Sequence, residues 1–502
     1  MSFLASQSEM RPRRNARQFF VVGVFGGLMF TGVSGAQISS GSGGGLVAQP
    51  ASSSSSGSAQ TQSPGSGSPF SGSAVQLRAT AEVMPLTIRD SIQMGLKYNL
   101  GMILSGAGNE AARGARIRSL SELLPNLSAR IGENVQQVSL AQFGFPATLT
   151  GGKEVIGPFA YFDARAVFTQ DVFDYTAFQN NRASVENVKS AHFDYQNARD
   201  LVVLVSGASY LQAVAAAARV DAAQAELTTA TTVYRQAVDM KAAGVVPAIE
   251  VLRAQVQMQA QQQRLLAAKN EFERSKLSLA RVIGLPTAQP FTLADNIPYA
   301  PLPPITLEQE LQRAYENRSD YKAAEARVRS AELEHKAAIG ERLPTLGLNA
   351  DYGVIGPHPD KSNGTFTVAG GLKIPIFQGG KARGDIIQAD AALKQRQAEL
   401  DNLRGQIEYD LRTAFLDVQT ATDEINVATS SLDLAHQQLQ QSQDRFAAGV
   451  ADNLELVQAQ QAVAVADENY ISSLYAHNFA KLSLVRAVGV AETAVMNFLG
   501  GK

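Results

Sequence analysis

The sequence predicts an α+β fold, mostly long α-helix, in which one structural unit occurs twice. Residues 86–127 (LTIRDSIQMGLKYNL…LSELLPNL) align without a gap on residues 305–346 (ITLEQELQRAYENRS…IGERLPTL), at a constant shift of 219. Further along, residues 244–255 (GVVPAIEVLRAQ) align on 449–460 (GVADNLELVQAQ) at a shift of 205. Repeats of this length are whole structural units. Each half is therefore predicted to contain a helix, a β-hairpin, a very long helix and a companion helix.

The composition excludes several classes of protein. The 502 residues carry a formal net charge of -2, which gives no reason to expect nucleic acid as a partner. No cysteine is present, so disulfides, thiol catalysis, cysteine metal sites and a lipidated N-terminal cysteine are excluded. Beyond the N-terminus there is no run of 18 apolar residues, and no transmembrane helix is expected. Membrane-spanning β-strands give a much weaker signal in a sequence, so their presence is not excluded.

The N-terminus has the pattern of a secretory signal. Four arginines precede the apolar run 19–33, and Ser34-Gly35-Ala36 offers the small residues of a cleavage site, so residues 1–36 are predicted to be removed. An internal membrane anchor is the alternative, but the run is short, and a twin-arginine signal fits poorly. Residues 37–85 are rich in Ser and Gly and are expected to be a disordered extension. The first repeat then spans 86–300 and the second 301–490, followed by a C-terminal tail, 491–502.

The first repeat opens with a predicted helix over 86–124, because apolar residues recur at helical spacing until Pro125. The period then changes to two, which predicts strands at about 126–137 and 160–172, joined by a loop at about 141–158. The second repeat shows the same alternation more clearly, with strands at about 345–355 and 365–376.

Strands of about ten residues suit a tilted crossing of a bilayer. The alternative is a half-buried hairpin of a soluble β-sandwich. Four strands cannot close a barrel, so the chain either pairs with copies of itself or leaves strand edges exposed.

Helices of unusual length follow each hairpin. No proline interrupts about 175–240 or about 380–448, and roughly 65 residues of helix span ~100 Å. Their companions are predicted at about 247–284 and 452–488, after the turns KAAGVVP and FAAGVAD. Small side chains along these helices favour close packing through a narrow apolar seam.

This order of elements, duplicated behind a secretory signal, resembles the outer membrane efflux protein family, the TolC-like channels. The resemblance covers about residues 85–490. Its most specific residues are Phe173-Asp174-Tyr175 and Phe377-Gln378-Gly379-Gly380, where strand meets long helix, together with RFAAG (445–449) and LELVQAQ (454–460) at the second tip.

The resemblance implies a homotrimer, with a 12-stranded β-barrel in the outer membrane and an α-helical barrel extending into the periplasm. It implies contacts with outer membrane lipid, a periplasmic adaptor protein and an inner-membrane transporter. The expected function is the exit duct of a tripartite efflux or type I secretion system, not an enzyme, with no cofactor. Drug efflux, metal efflux and protein secretion all remain open.

The resemblance also implies a constriction at the helical tips, closed by acidic rings and interhelical bonds. By position the main ring residue is Glu455, and the family's second acidic position is Gln458 here. A tyrosine and an arginine that often form closing bonds fall on Phe446 and Ala451, so the lock is weaker or uses other side chains. Three charged residues are the candidates for that lock: Asp444, Asp452 and Arg253. The alternative is that Glu455 is an ordinary solvated helix residue.

The two turns are the expected docking surface for an adaptor, at Gly244, Val245, Gly449 and Val450. The alternative is simple helix–turn–helix geometry, in which glycine relieves backbone strain at a helix end.

Two other functions compete with the channel. A secreted enzyme would need a polar cluster in a compact domain, but the five histidines are scattered, and the Gly-rich runs lie in the N-terminal extension, where no phosphate loop is formed. A trimeric outer-membrane stalk or adhesin would also use long helices, but it should show sustained heptads without hairpins inside the repeats. The duplicated hairpins favour the channel.

Overall fold

The computed structural model describes residues 68–74, 78–139, 155–295, 299–302, 305–448, 450 and 453–499. The predicted signal peptide and most of the predicted extension lie outside the described residues.

The two repeats contain the predicted elements in the predicted order. The first repeat consists of β1 (Met84–Leu86), α1 (Ile88–Tyr98), α2 (Leu100–Ser121), β2 (Asn126–Ser139), β3 (Val155–Phe173), α3 (Tyr175–Ala242), α4 (Ala248–Ile283) and β4 (Phe291–Leu293). The second consists of α5 (Leu307–Asn317), α6 (Ser319–Gly340), β5 (Thr345–Gly356), β6 (Asn363–Lys373), α7 (Lys381–Ala447), α8 (Asn453–Val488) and α9 (Ala491–Leu499).

The single helix predicted over 86–124 is wrong at two points. Leu86 belongs to β1, which pairs in parallel with β4, and the helical stretch is divided at Asn99 into α1 and α2. The Asn99 side chain accepts a hydrogen bond from the backbone N–H of Gly101, which is a helix N-cap interaction. Non-local contacts hold this break, so helical periodicity did not reveal it.

The two strand pairs match their predicted positions but differ in length. β3 begins at Val155, earlier than the predicted 160, and β6 ends at Lys373, before the predicted 376. The four strands form one antiparallel sheet in the order β2-β3-β5-β6. Asn126 lies opposite Thr169 at the inner end of the first hairpin, and Phe162 lies opposite Gly356 where the two hairpins join.

The long helices have local reasons to begin and end where they do. Asp174 caps α3 by accepting a hydrogen bond from the backbone N–H of Ala177, at 3.0 Å. Helix α3 then runs for 68 residues without proline and ends at Ala242, two residues before Gly244, whose φ of +73° is strained for other residues. At ~1.5 Å per residue this single helix is about 100 Å long.

The helices form a layer whose composition changes along its length. Near the sheet, α3 packs against α2 and α6, and α6 packs against α7. Towards the tips, α3 packs against α4 and α8, and α8 packs against α7. The order of helices across the layer is therefore α2-α3-α6-α7 near the sheet and α4-α3-α8-α7 towards the tips.

The largest apolar core lies midway along this layer, where both repeats contribute. Tyr210 of α3 is fully buried there and donates its hydroxyl hydrogen bond to the carbonyl oxygen of Leu86 at 3.0 Å. Around it pack residues of α1, α4, α8, α9, β1 and β4, including Leu279, Ile283 and Leu482.

Two segments predicted to be a disordered extension and a tail are partly folded. Phe70 packs beside Met102 and Val202, and the backbone of residues 72–74 bonds to Leu100 and Tyr98. Residues 491–499 form α9, whose Val495 and Leu499 are buried in the core.

One described helix, α3, contains an 18-residue window that is apolar enough to cross a membrane by length and composition, where the sequence led us to expect none. Half of that window is buried inside the chain. Packing in the midway core therefore accounts for its apolar character.

Candidate functional site

One face of the four-stranded sheet is an exposed apolar surface. Leu127 and Ile131 of β2 are 73% and 76% exposed, and Phe366 and Val368 of β6 are 76% and 67% exposed. Tyr352 lies directly opposite Phe366 and is also exposed, which forms an aromatic pair towards the outer end of the band. An apolar band with aromatic residues at its margin is the surface that membrane β-strands present to lipid.

The other face of the same sheet carries charge. Arg165 of β3 is bonded at 2.8 Å to Asp163 on its own strand and at 2.8 Å to Asp351 on β5. The second of these ion pairs ties the hairpin of one repeat to the hairpin of the other. Arg130 of β2 lies opposite Arg165 in the strand register, so this face is polar across three strands. The sheet thus separates an apolar side from a charged side, as the alternating pattern predicted.

The sheet has two edges of different identity. In the described sheet, β2 is bonded only to β3 and β6 only to β5, so both outer edges present unpaired backbone N–H and C=O groups. Exposed strand edges pair readily with other strands. The two edges belong to different strands. If β2 of one copy pairs with β6 of the next, the contact between the copies is therefore heterologous.

The helix layer continues both edges. On the α7 side, exposed residues Tyr409, Leu416, Val427 and Leu434 are separated by seven or eleven positions, which places them on one face of the helix. On the opposite side, α4 exposes Ile249, Leu252 and Val256 at helical spacing, and α2 exposes Ile117. The chain therefore has unpartnered apolar side chains along both margins of its layer.

At the far end of the layer a small apolar cluster joins the tips of four helices. Phe446 of α7 and Leu456 of α8 are 2% and 0% exposed, and they pack with Val233 and Ala237 of α3 and Ala254 of α4. Phe446, predicted to belong to the constriction, is therefore a buried anchor of the tip in this chain.

The charged residues predicted for the constriction are not all brought together. Arg253 bonds to Glu250 on its own helix at 2.7 Å, and Asp444 accepts a hydrogen bond from Gln440 at 3.0 Å. Gln458 is exposed on α8. Glu455 forms an ion pair with Arg445 at 3.2 Å across the turn between α7 and α8. Neither of these partners, Glu250 and Arg445, was selected from the sequence.

The repeat itself could have identified Glu250. The shift of 205 that aligns the two tips places Glu250 on Glu455. Arg445 gives no such signal, because its repeat equivalent is Met240 and its contact depends on the geometry of the turn.

The predicted docking turns are exposed where they are described. Val245 and Val450 are both open to solvent, and Gly244 adopts a positive φ. Gly449 and Asp452 lie outside the described residues. A groove of about 420 Å³ runs between α4 and α8 close to these turns. It is lined by Ile249, Leu252, Arg253, Val256, Leu454 and Val457.

Buried charge is concentrated midway along the layer, far from the tips. Arg318, at the start of α6, bonds to both carboxylate oxygens of Asp320 at 3.0 and 2.7 Å and to Asp410 of α7 at 3.2 Å. Burial opposes ionisation of Asp320, but the hydrogen bonds and charge of Arg318 outweigh it, and the pKa of Asp320 is lowered. Arg486, which donates to Asn197 at 2.6 Å, has its pKa lowered by burial.

A second buried pair lies on α8. His477 and Lys481 are fully buried, one turn apart, and Lys481 donates a hydrogen bond to the carbonyl oxygen of Ala300. Burial lowers the pKa of Lys481 to about 8. Burial, with the charge of Lys481, lowers the pKa of His477 to about 4. Arg318 joins α6 to α7, and Lys481 joins α8 to the segment between the two repeats.

Known proteins match both the sequence and the fold. The chain is 23% identical over 340 residues to the pyoverdine export outer membrane protein OpmQ of Pseudomonas putida, covering 65% of this chain and 70% of OpmQ. It is 23% identical over 337 residues to the outer membrane efflux protein BepC of Brucella suis, covering 64% and 72%. Its fold is similar to the crystal structure of the Campylobacter jejuni CmeC outer membrane channel, with a TM-score of 0.71 and 18% identity over 80% of this chain and 86% of CmeC.

The sequence pattern of outer membrane efflux proteins matches residues 109–285 and 311–490. These two segments correspond to the two repeats and cover most of the chain. The protein belongs to the outer membrane efflux protein family.

Proposed function

We propose that three copies of this chain close edge to edge into one duct, with a 12-stranded barrel above a continuous helical tunnel. The family consists of outer membrane channels for efflux and secretion, not of enzymes, so the chain is an outer-membrane exit duct. What we propose beyond this function is the number of copies, the closure of the barrel and the partners that meet its periplasmic end.

The observation that carries the proposal is the pair of unlike edges. One margin of the chain is formed by β2, α2 and α4, and the other by β6 and α7. Each margin combines unpaired strand backbone with exposed apolar helix residues. A heterologous contact between unlike margins generates a ring when the rotation closes, and closure leaves no strand edge in lipid.

The two faces of the sheet support the same orientation. With the exposed band of Leu127, Ile131 and Val368 turned to lipid, the face carrying Arg165 and Asp351 lines the interior. Polar interiors and apolar exteriors are the usual arrangement of membrane β-barrels. Helices of about 100 Å then extend the passage away from the membrane into the periplasm.

The tips are the proposed meeting point with the periplasmic adaptor and the inner-membrane transporter. Val245 and Val450 offer apolar side chains at the turns, and the groove between α4 and α8 lies beside them. Glu455 is proposed to line the constriction at this end, with Gln458 one turn along α8. Asp444 and Arg253 lie close to the turns and remain candidates for the contacts that hold the constriction closed, as does Asp452.

Disulfide cross-linking tests the ring directly, because the chain has no native cysteine. Ser128→Cys on β2 is combined in turn with Thr365→Cys, Thr367→Cys or Ala369→Cys on β6, all on the same face of the sheet. At least one combination is expected to yield covalent trimers after oxidation in the membrane. The matched control combines Ser128→Cys with Asn349→Cys, which lies on the interior strand β5. Dimers from Ser128→Cys alone, or monomers throughout, would contradict the heterologous ring.

Conductance distinguishes a duct from a trimeric stalk or adhesin. Cross-linked trimers in planar bilayers are expected to pass ions, and Glu455→Gln is expected to reduce the preference for cations. Trimers that pass no current, either as wild type or with the tip loosened by Phe446→Ala, would favour the stalk.

A further inference from the structure

We propose that Arg253 and Arg445 are built-in counter-ions of the tip, which hold Glu250 and Glu455 and attenuate the negative charge of the passage. The inference rests on the proposed function, because it takes the tips as the narrow end of the duct. It differs from the simpler hypothesis of an acidic ring in which the carboxylates have no paired arginines.

The first pair lies at the start of α4. The guanidinium Nη1 of Arg253 lies 2.7 Å from Oε1 of Glu250, three residues earlier on the same helix. The Glu250 side chain is largely buried, whereas that of Arg253 is exposed. A carboxylate that is partly withdrawn from water benefits most from a charged hydrogen-bond partner.

The second pair spans the turn between α7 and α8. Nε of Arg445 lies 3.2 Å from Oε1 of Glu455. Each partner is next to a buried anchor of the tip, since Phe446 follows Arg445 and Leu456 follows Glu455. The apolar cluster thus fixes the two backbones from which the ion pair is built.

The arginines are not copies of one another in the duplicated sequence. The shift of 205 places Glu250 on Glu455, but it places Arg253 on Gln458 and Met240 on Arg445. The two glutamates are therefore equivalent in the repeat, whereas the two arginines that bond to them are not.

The charge of the whole tip follows from the sequence. Segments 239–256 and 444–458 contain five carboxylates and three cationic side chains, for a formal charge of -2 per chain. The carboxylates are those of Asp239, Glu250, Asp444, Asp452 and Glu455, and the cations are Lys241, Arg253 and Arg445. Removing both arginines would double the negative charge to -4 per chain. The wild-type tip is therefore expected to prefer cations only moderately, which suits a duct that passes cargo of either sign.

Cysteine labelling measures this potential without requiring an open channel. Gln458→Cys places one thiol on α8, one turn from Glu455, in a chain with no other cysteine. The full-length protein is labelled with a cationic and an anionic methanethiosulfonate of similar size, and the ratio of the two rates reports the local potential. One unit charge at about 7 Å in water changes each rate about two- to threefold, in opposite directions for the two reagents. Arg445→Gln and Arg253→Gln are each expected to raise the cationic-to-anionic ratio about fivefold at low salt, and Glu455→Gln to lower it.

The matched control uses the pair Arg274–Glu271, which has the same three-residue spacing on α4 but lies away from the tip. Arg274→Gln should leave the ratio at Gln458→Cys unchanged, and it should shift the ratio at a local reporter, Ser278→Cys. Unchanged ratios at Gln458→Cys in both tip arginine variants would overturn the inference, as would a rise that persists at 1 M salt, where such charges are screened.

The outcome separates this inference from the proposed function. Labelling reports the tip of each chain whether or not a ring forms. Shifted ratios in a protein that fails the trimer test would support the ion pairs and overturn the proposed trimeric ring. Trimers that conduct but show unshifted ratios would support the duct and overturn the counter-ions.

Discussion

Asn99 and Arg318 occupy the same position in the two repeats, 219 residues apart, and each holds a break between two helices by different chemistry. The amide of Asn99 donates to the carbonyl oxygens of Phe70 and Val282, at 2.7 and 3.1 Å, and its oxygen accepts from Gly101. The guanidinium of Arg318 instead bonds to Asp320 and Asp410. Duplication preserved the geometry of the break while its supporting contacts diverged.

Replacing Asn99 with alanine is expected to cost about 1–3 kcal/mol, because buried carbonyl groups lose their donor. Urea-dependent unfolding of the detergent-solubilised protein measures this change. Asn109→Ala is the matched control on the same helix, since the side-chain oxygen of Asn109 is buried without a hydrogen-bond partner among the described residues. An equal loss in both variants would contradict the role given to Asn99.

Replacing Arg318 with methionine is expected to cost more, about 3–5 kcal/mol, because two carboxylates lose a buried partner. The pKa of Asp320 is lowered in the folded protein, so its contribution is present above the unfolded value of about 3.9 and is lost as pH falls below that value. The loss of stability in the variant should therefore be largest at neutral pH, and it should shrink as pH falls through the lowered pKa of Asp320. Arg318→Met with Asp320→Asn should recover part of the loss. A difference from wild type that does not depend on pH would argue against the ion pair.

The sequence predicted the elements that depend on local patterns. Strict alternation from Leu346 to Val354 gave the second hairpin, and the absence of proline gave the long helices. It did not predict the breaks at Asn99 and Arg318. The contacts that support them join residues up to 183 positions apart, as in the bond from Asn99 to Val282.

At the tip, too, the sequence predicted some residues, whereas contacts between distant segments determined the others. The resemblance to the family singled out Glu455 by its position, and the internal repeat contained the information that Glu250 is its equivalent. The ion pair between Arg445 and Glu455 forms only when the turn brings the end of α7 against the start of α8. Phe446 was assigned to the constriction by position, whereas its burial depends on packing from three other helices.

His477 is expected to make the protein sensitive to mild acid. Its pKa is lowered to about 4 by burial and by Lys481, whereas the unfolded chain binds the same proton near pH 6.5. Between these values only the unfolded state is protonated, so stability falls as pH decreases from 6.5 to 4. Lys481 is protonated in both states in this range and does not contribute to the slope.

His477→Phe tests this expectation while retaining an aromatic ring beside Tyr299, 5.0 Å away between ring centroids. Between pH 6.5 and 4, the free energy of unfolding should fall by up to about 3 kcal/mol more in the wild type than in the variant. Urea unfolding at each pH measures this difference. Parallel pH profiles for the two proteins would refute the assignment.

Two leucines on α8 separate folding of the tip from its surface role. Leu456 is fully buried in the tip cluster, whereas Leu454, two residues earlier, is exposed beside the groove. Leu456→Ala is expected to cost about 2–5 kcal/mol and to expose the tips to limited proteolysis. Leu454→Ala should change stability by less than about 0.5 kcal/mol. If both variants are cleaved at the same rate, the cluster does not hold the tip together.

Neighbouring residues of β6 provide the sharpest test of which face of the sheet meets lipid. Val368 is the midpoint of β6 and lies on the exposed apolar face, and Thr367 points to the opposite, polar face. An arginine facing lipid near the centre of the bilayer costs roughly 2–4 kcal/mol per chain, whereas an arginine in a water-filled interior is tolerated. The two substitutions introduce the same side chain one residue apart, so they differ only in the face that receives it.

Val368→Arg is therefore expected to reduce the amount of heat-resistant trimer recovered from outer membranes several-fold, since the cost recurs in each of three chains. Thr367→Arg should assemble normally. The second variant should also shift ion selectivity in planar bilayers towards anions, because its charge would lie in the passage. Assembly that fails for Thr367→Arg and survives for Val368→Arg would reverse the orientation of the sheet, and with it the argument that Arg165 and Asp351 line the duct.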